Sequence, residues 1–144
     1  MFNMYPARLP RSSASDERRV APSAARETIL LVEDEPAVRH LFAQALMREG
    51  YQVYEARNGE EALKVFDEHG DIISLLLTDL RMPYMGGAEL ATQLKARRST
   101  LKLICVSGYP GAGETEMASD FLAKPFSRDA LLAKVREVLD RGQP

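Results

Sequence analysis

The chain has 144 residues, enough for one domain with a single core and too few for two domains of ordinary size. It is 45% hydrophobic and 28% charged, and no apolar run approaches the roughly 20 residues of a membrane span, so membrane insertion is not expected. The net charge of −2 argues against direct binding of DNA or RNA. The chain contains one cysteine, Cys105, which suits a protein of the reducing cytoplasm. Its place in an apolar run predicts a buried, inert thiol.

The first 26 residues contain prolines, serines and five arginines without apolar periodicity. This composition predicts a disordered tail or linker over residues 1–26 and one domain over residues 27–144. Five arginines against Asp16 and Glu17 give the tail a charge of +3. No apolar segment follows the first residues, so a secretory signal is not predicted.

The first regular pattern begins at Thr28. Residues 28–32 form a short apolar strand that ends in the acidic stretch 33–35, and Pro36 suits the first position of a helix. That helix ends at Gly50, and its apolar face is predicted to consist of Val38, Leu41, Phe42, Ala45 and Leu46. We expect this face to pack on a sheet.

Two further strands enclose a second helix. The strand at residues 52–56 is followed by Asn58 and Glu61, which resemble the capping box of a helix with inward residues Ala62, Leu63 and Phe66. The next strand is the apolar run 75–78, which ends in the carboxylate of Asp79. Continuous apolar runs of this length are typical of strands buried on both faces of a parallel sheet.

A break at Gly86-Gly87 starts a third helix, whose inward residues are Leu90, Ala91 and Leu94. Residues 101–107 then form a fourth strand that ends in the hydroxyl group of Ser107. The following residues, 108–113, are rich in glycine and form helices poorly. A fourth helix around residues 114–118 is therefore predicted to be short or irregular.

A fifth strand at residues 121–123 ends at Lys124-Pro125, and Ser127 caps a last helix with inward residues Leu131, Val135, Val138 and Leu139. Five strands that alternate with helices predict an α/β fold with a parallel sheet and helices on both of its faces. We expect a flavodoxin-like fold with the strand order 2-1-3-4-5.

Polar side chains follow four of the strands at what would be one edge of the sheet: Glu33 and Asp34, Asp79, Ser107 and Lys124. The first and third strands are neighbours in the predicted order, so Asp34 and Asp79 would face each other. Crowded carboxylates repel one another unless a cation separates them, and their hard oxygen ligands suit Mg²⁺. With Lys124 and Ser107 nearby, the set is suited to neutralising a phosphoryl group in transfer to Asp79.

This set of residues resembles the receiver domain of response regulators in two-component signalling, over about residues 27–139. The matching motifs are Glu33-Asp34, Asp79-Leu80-Arg81-Met82-Pro83 with Gly86, Ser107, and Lys124-Pro125-Phe126. The short, glycine-rich interval between Ser107 and Lys124 is most similar to receivers attached to hybrid sensor histidine kinases.

The resemblance implies that Asp79 takes a phosphoryl group from a histidine kinase or a histidine phosphotransfer protein. It also implies a Mg²⁺ site in which Asp34 binds the ion directly and Glu33 binds it through water. The carboxylate of Asp79 and the backbone carbonyl of Arg81 would be further ligands. Glu33 differs from the aspartate that is commoner in the family, and this difference lengthens the reach to the metal.

Further implied roles concern the response to phosphorylation. Ser107 and Lys124 would contact the phosphoryl oxygens, and Phe121 occupies the aromatic switch position that moves inward with Ser107. Phe121 lacks the hydroxyl group of a tyrosine at this place. A cis peptide bond between Lys124 and Pro125 is also implied.

Four functions are candidates for a chain with these residues. The first is a phosphoacceptor module, free-standing or part of a hybrid kinase, whose own chemistry is Mg²⁺-dependent self-phosphorylation and slow self-dephosphorylation. The alternative enzyme is an aspartate-nucleophile phosphatase, which needs a second aspartate where this chain has Arg81. A flavin or nucleotide module is disfavoured because the acidic stretch 33–35 would repel phosphate. A degenerate receiver is disfavoured by the intact Asp79, Ser107 and Lys124.

Overall fold

The computed structural model describes residues 3–5, 27–108 and 120–141. Its strands are β1 (Asn3–Tyr5), β2 (Thr28–Val32), β3 (Gln52–Ala56), β4 (Leu75–Asp79), β5 (Lys102–Ser107) and β6 (Phe121–Ala123). Its helices are α1 (Pro36–Arg48), α2 (Gly59–His69), α3 (Gly87–Arg97) and α4 (Arg128–Asp140). None of the helices in this described part of the chain has the length and apolarity that a membrane span requires.

Strands β2 to β6 form a parallel sheet in the order β3-β2-β4-β5-β6. Counted along the parallel strands alone, this is the predicted order 2-1-3-4-5, and the predicted fold is confirmed. Strand β4 is central, since Leu77 lies opposite Leu31 of β2 and Ile104 of β5. The predicted short helix around residues 114–118 lies outside the described residues.

Strand β1 was not predicted. Its three residues pair antiparallel with the outer edge of β3, in the register Asn3↔Glu55, Met4↔Tyr54 and Tyr5↔Val53. Sequence composition gives no signal for such a strand because a three-residue segment has no measurable periodicity. Pairing with an open strand edge requires backbone groups only, which every non-proline residue supplies.

The core has two halves, one on each face of the sheet. On one face, Ile29 and Leu31 of β2 pack with residues of α1 and α4, including Ala43, Leu46, Leu131 and Val135. On the other face, Leu30 and Val32 pack with residues of α2 and α3, including Ala62, Val65, Leu90 and Leu94. Because both faces are covered, the strands need apolar side chains at successive positions, which explains the continuous apolar runs.

The ends of the helices agree with the predicted caps. Pro36 lies in the first turn of α1, and Gly50, with a φ of 104°, follows its end. The side chain of Asn58 accepts a hydrogen bond from the Glu61 N–H group at 2.8 Å at the start of α2. The Ser127 hydroxyl oxygen accepts one from the Ala130 N–H group at 3.0 Å at the start of α4.

The predicted apolar face of α1 is wrong at Leu41, whose residue is 66% exposed. The buried residues of this helix are Arg39, Ala43, Ala45 and Leu46. Leu41 precedes Ala43 by two positions, which is about 200° of rotation around a helix. Leu41 therefore points away from the sheet, and a buried arginine occupies the face instead.

Gly87, at the start of α3, is required by the close approach of the chain to Asp79. A Cβ atom at this position would lie 2.9 Å from the Leu80 Cα atom and closer still to the Asp79 carbonyl oxygen. We expect Gly87→Ala to lower the free energy of unfolding by about 1–3 kcal/mol, because backbone atoms must shift to admit the methyl group. Urea denaturation would measure the change.

Gly108→Ala is the matched control for that substitution. A Cβ atom at Gly108 would lie 4.0 Å from the Lys124 Cβ atom, which is an ordinary van der Waals contact. Its effect is expected to stay within about 0.5 kcal/mol of wild type. Equal stability of the two variants would contradict the packing argument for Gly87.

Candidate functional site

The carboxyl ends of the parallel strands bring the predicted polar residues to one edge of the sheet. Asp79, the last residue of β4, lies opposite Val106 of β5, and Ser107 lies opposite Ala123 of β6. Lys124 directly follows that last pair. Residues that are far apart in sequence therefore lie within one or two residues of the same level on neighbouring strands.

Asp79 is enclosed by its neighbours and is only 7% exposed. Its Oδ2 atom accepts a hydrogen bond from the Lys124 Nζ atom at 3.0 Å. Its Oδ1 atom accepts one from the backbone N–H group of Arg81 at 3.0 Å. The carboxylate thus has a fixed orientation, with a cationic amine on one oxygen and a backbone donor on the other.

Two further carboxylates lie beside Asp79. Oxygen atoms of Glu33, Asp34 and Asp79 all lie within 4.8 Å of one another. Glu33 is buried, and its two oxygens accept hydrogen bonds from the Lys124 Nζ atom at 3.4 Å and from the Glu35 N–H group at 3.2 Å. Asp34 is exposed, so the cluster opens to solvent on the side of Asp34.

The crowding of these groups alters their acidity. Burial and the neighbouring charge of Asp79 raise the pKa of Glu33 to about 7, although the Glu35 N–H group and Lys124 favour its charged form. Burial lowers the pKa of Lys124, but its hydrogen bond to Asp79 and the charges of Glu33 and Asp79 outweigh burial and leave that pKa raised. One lysine therefore compensates the negative charge of the cluster incompletely, which is the electrostatic setting of a cation site.

Ser107 and Phe121 lie next to this cluster along the chain fold. Ser107 is buried at the end of β5, and its carbonyl oxygen accepts a hydrogen bond from the Lys124 N–H group at 2.9 Å. Phe121 is partly buried against Leu80 and Cys105. The peptide bond between Lys124 and Pro125 is cis, as the resemblance implied.

Comparison with known proteins identifies the family. A family model described as the response regulator receiver domain matches residues 29–136. The chain belongs to this family. A receiver domain is a signalling module of two-component systems.

Individual relatives support the assignment of the chain to this family. Sensor kinase CckA of Brucella abortus is 36% identical over 158 aligned positions, which cover 97% of this chain and 16% of the kinase. The crystal structure of the receiver domain from hybrid histidine kinase CckA is similar at a TM-score of 0.69 and 38% identity, covering 78% of this chain and 98% of that one. This receiver domain thus spans about a sixth of its curated relative CckA.

A third relative is the response regulator protein TrrA from Thermotoga maritima, solved in complex with Mg²⁺-BeF. Its TM-score is 0.70 at 33% identity, and the match covers 78% of this chain and 98% of TrrA. The shared fold and the sequence identity together support a common arrangement of the strand ends.

One residue beside the acidic cluster of this receiver domain and one in the loop after β4 were not predicted. Arg39 of α1 is buried and donates a hydrogen bond to the carbonyl oxygen of Glu33 at 2.9 Å. Tyr84 is fully exposed at a φ of 70°, and the Met85 N–H group closes a tight turn around it by donating to the Pro83 carbonyl oxygen at 2.8 Å. An arginine in a helix and a tyrosine after a proline are ordinary surface residues in sequence, so neither gave a signal.

The raised pKa of Glu33 predicts a pH-dependent stability of the metal-free receiver domain. Its ordinary pKa is 4.5 and its folded value is about 7, so the folded chain holds this proton more tightly than the unfolded chain does. The stabilisation that comes from protonated Glu33 is complete below its ordinary pKa of 4.5 and is lost as the pH rises through its folded pKa of about 7. At about 1.4 kcal/mol per pKa unit, we expect a loss of up to about 3 kcal/mol across this interval.

Urea denaturation in the presence of a chelator, at several pH values across this interval, would measure that loss. In Glu33→Gln the dependence should be largely flattened, because glutamine does not titrate. A variant that keeps the wild-type slope would assign the pH dependence to another group.

Proposed function

We propose that this receiver domain takes a phosphoryl group onto Asp79 and controls a partner by the change in conformation that follows. The observation that supports the proposal most strongly is the single cationic amine of Lys124, 3.0 Å from Asp79 Oδ2 and 3.4 Å from Glu33 Oε1. An amine in this position can neutralise phosphoryl oxygens held at Asp79. Ser107, at the end of the neighbouring strand, would be a second contact for these oxygens.

The cluster of carboxylates fits Mg²⁺. Three acidic side chains offer oxygen atoms within 4.8 Å of one another. Burial, and after it the charge of Asp79, raises the pKa of Glu33, and a divalent cation would favour the charged form of both groups. Asp34 and Asp79 would bind the ion directly, Glu33 through water, and the Arg81 carbonyl group would complete the protein ligands. Bound there, Mg²⁺ would supply positive charge to the phosphoryl oxygens. The relative TrrA was solved with Mg²⁺-BeF, which supports this assignment.

The proposed reaction is a transfer between two nucleophiles. A carboxylate oxygen of Asp79 forms a bond to phosphorus while the phosphorus–nitrogen bond of a phosphohistidine breaks, and the released imidazole takes a proton from solvent. The Lys124 amine and the Arg81 N–H group hold the Asp79 carboxylate in place. Slow attack of water on phosphorus later releases inorganic phosphate and restores the carboxylate. The chain therefore acts on itself and not on other substrates.

Phosphorylation would bias an equilibrium between two conformations. Ser107 would shift toward the phosphoryl group. Phe121, which is partly buried against Leu80 and Cys105, would move further inward. We propose a histidine kinase or a histidine phosphotransfer protein in the cytoplasm as the phosphodonor. No direct contact of the receiver domain with nucleic acid is proposed. The receiver domain would comprise residues 27–144, with residues 1–26 as a tail or linker of which Asn3–Tyr5 adds a strand to the sheet.

Incubation with acetyl phosphate, a small phosphodonor, tests this function. In the presence of Mg²⁺ we expect one phosphoryl group per chain, detected by intact mass and lost on acid treatment. A chelator should prevent its formation. Turnover of an unrelated phosphoester without a stable adduct would instead favour the aspartate-nucleophile phosphatase.

A further inference from the structure

Arg39 bridges three elements beside the acidic cluster. It lies in α1, where its residue is only 8% exposed. Its Nη1 atom donates a hydrogen bond to the Glu33 carbonyl oxygen at 2.9 Å, and its Nε atom donates one to Glu55 Oε1 at 3.1 Å. Glu55 belongs to β3 and is 3% exposed. Arg39 therefore joins the start of α1 to the end of β2 and to β3.

The Glu33 carbonyl group needs such a donor because the strand ladder ends beside it. The Glu33 N–H group still donates to the Ala56 carbonyl oxygen at 3.1 Å, which extends the pairing of β2 with β3 by one residue. In a parallel ladder, the next donor would be the N–H group of Asn58. Asn58 is already the N-cap of α2, where the chain turns into the helix. The guanidinium group of Arg39 supplies the missing donor.

The pair of Arg39 and Glu55 is not explained by stability alone. Within the described residues, the second carboxylate oxygen, Glu55 Oε2, is buried without a hydrogen-bond partner. Burying two charges has a desolvation penalty that their attraction often fails to recover, so apolar residues of similar size would serve the core as well. Apolar residues, however, could not donate a hydrogen bond to the Glu33 carbonyl oxygen, as Arg39 does.

We infer that Arg39, oriented by Glu55, is a positioning residue for the proposed magnesium site. Without a bound cation, Glu33, Asp34 and Asp79 repel one another, and the segment that follows β2 would move outward to separate them. The hydrogen bond from Arg39 fixes the backbone of Glu33 and so keeps the first two carboxylates at ligand distance from Asp79. This inference rests on the proposed Mg²⁺-dependent function.

The chain contains a matched control for this role. Arg136 of α4 makes hydrogen bonds to both carboxylate oxygens of Glu27, each at 2.9 Å, and contacts the Tyr51 hydroxyl group at 3.2 Å. Glu27 precedes β2 and Tyr51 precedes β3, so this cluster lies at the opposite edge of the sheet. Arg136 also pairs with Asp140 at 2.8 Å, so Arg136→Met removes at least as many ionic contacts as Arg39→Met without touching the acidic cluster.

Calorimetric titration with Mg²⁺ alone tests the inference in wild type, Arg39→Met, Arg39→Lys and Arg136→Met, with urea denaturation in chelator as the measure of stability. We expect Arg39→Met to weaken Mg²⁺ binding by roughly 10- to 100-fold, as substitutions of groups that orient metal ligands do. Arg39→Lys, with one amine for two acceptors, should lie between it and wild type. Arg136→Met should lower stability and leave Mg²⁺ affinity within about 2-fold of wild type.

The outcomes separate the inference from the function on which it rests. Failure of the wild-type chain to bind Mg²⁺ would overturn the proposed function itself. Wild-type binding that is unchanged in Arg39→Met and Arg39→Lys would overturn the positioning role alone. So would an equal loss of affinity in Arg39→Met and Arg136→Met, because general destabilisation would then account for it. If Arg39→Met does not fold, Arg39→Lys decides.

Discussion

Asp79→Asn is expected to abolish the incorporation of a phosphoryl group from acetyl phosphate. Asparagine has the size of aspartate and can still accept the hydrogen bond from the Arg81 N–H group, so the loop after β4 should keep its shape. Its amide oxygen is not an effective nucleophile toward phosphorus. Intact-mass measurement after incubation with Mg²⁺ would report the loss directly.

The control for this variant is Asp67→Asn. Asp67 lies on the surface of α2, where it forms an ion pair with Arg97, away from the strand ends. We expect Asp67→Asn to be phosphorylated to the same extent as wild type. Retention of an acid-labile phosphoryl group in Asp79→Asn would mean that another carboxylate is the acceptor.

Lys124→Ala is expected to slow phosphorylation strongly without abolishing it. The acceptor carboxylate and the metal ligands remain, but the amine 3.0 Å from Asp79 Oδ2 is lost. Removal of one preorganised group that stabilises developing charge slows enzymatic reactions on the order of 100-fold, and we expect an effect of that size. The rate is measured from the time course of the mass increase.

The same variant should also respond less once it is phosphorylated. The variant keeps its backbone hydrogen bond to Ser107 but lacks the amine beside Asp79 that would couple the phosphoryl group to Lys124, which directly follows β6 and Phe121. Backbone amide chemical shifts of Ser107 and Phe121, recorded with and without phosphodonor, should change less than in wild type. Lys134→Ala is the control, since Lys134 pairs with Glu137 on α4 and should leave both measurements unchanged. A wild-type rate and shift pattern in Lys124→Ala would remove this residue from the site.

The parallel sheet and the meeting of its polar strand ends were predictable because both depend on local sequence patterns. The apolar run 75–78 is typical of a strand that is covered on both faces, and it ends in Asp79. Once the strand order is taken as that of a flavodoxin-like fold, the positions of Glu33, Ser107 and Lys124 follow as well. Few degrees of freedom remain between such a pattern and the geometry of the strand ends.

The residues that escaped prediction depend on contacts distant in sequence. Arg39 is buried because Glu55, 16 positions later, and the Glu33 carbonyl group receive its guanidinium group. In a helical pattern an arginine indicates solvent, whereas the apolar spacing from Val38 predicts burial of Leu41. Strand β1 depends on the open edge of β3. Such features are determined by tertiary structure, where local propensity has little influence.

The acceptor role of Asp79 is tested most directly by locating the phosphoryl group on the chain. Borohydride reduces an acyl phosphate of aspartate to homoserine, which peptide mass spectrometry identifies by position. After incubation with acetyl phosphate and Mg²⁺, we predict homoserine at position 79 and at no other carboxylate, and none when a chelator is present. Homoserine at another position, or its formation without Mg²⁺, would contradict the proposed site.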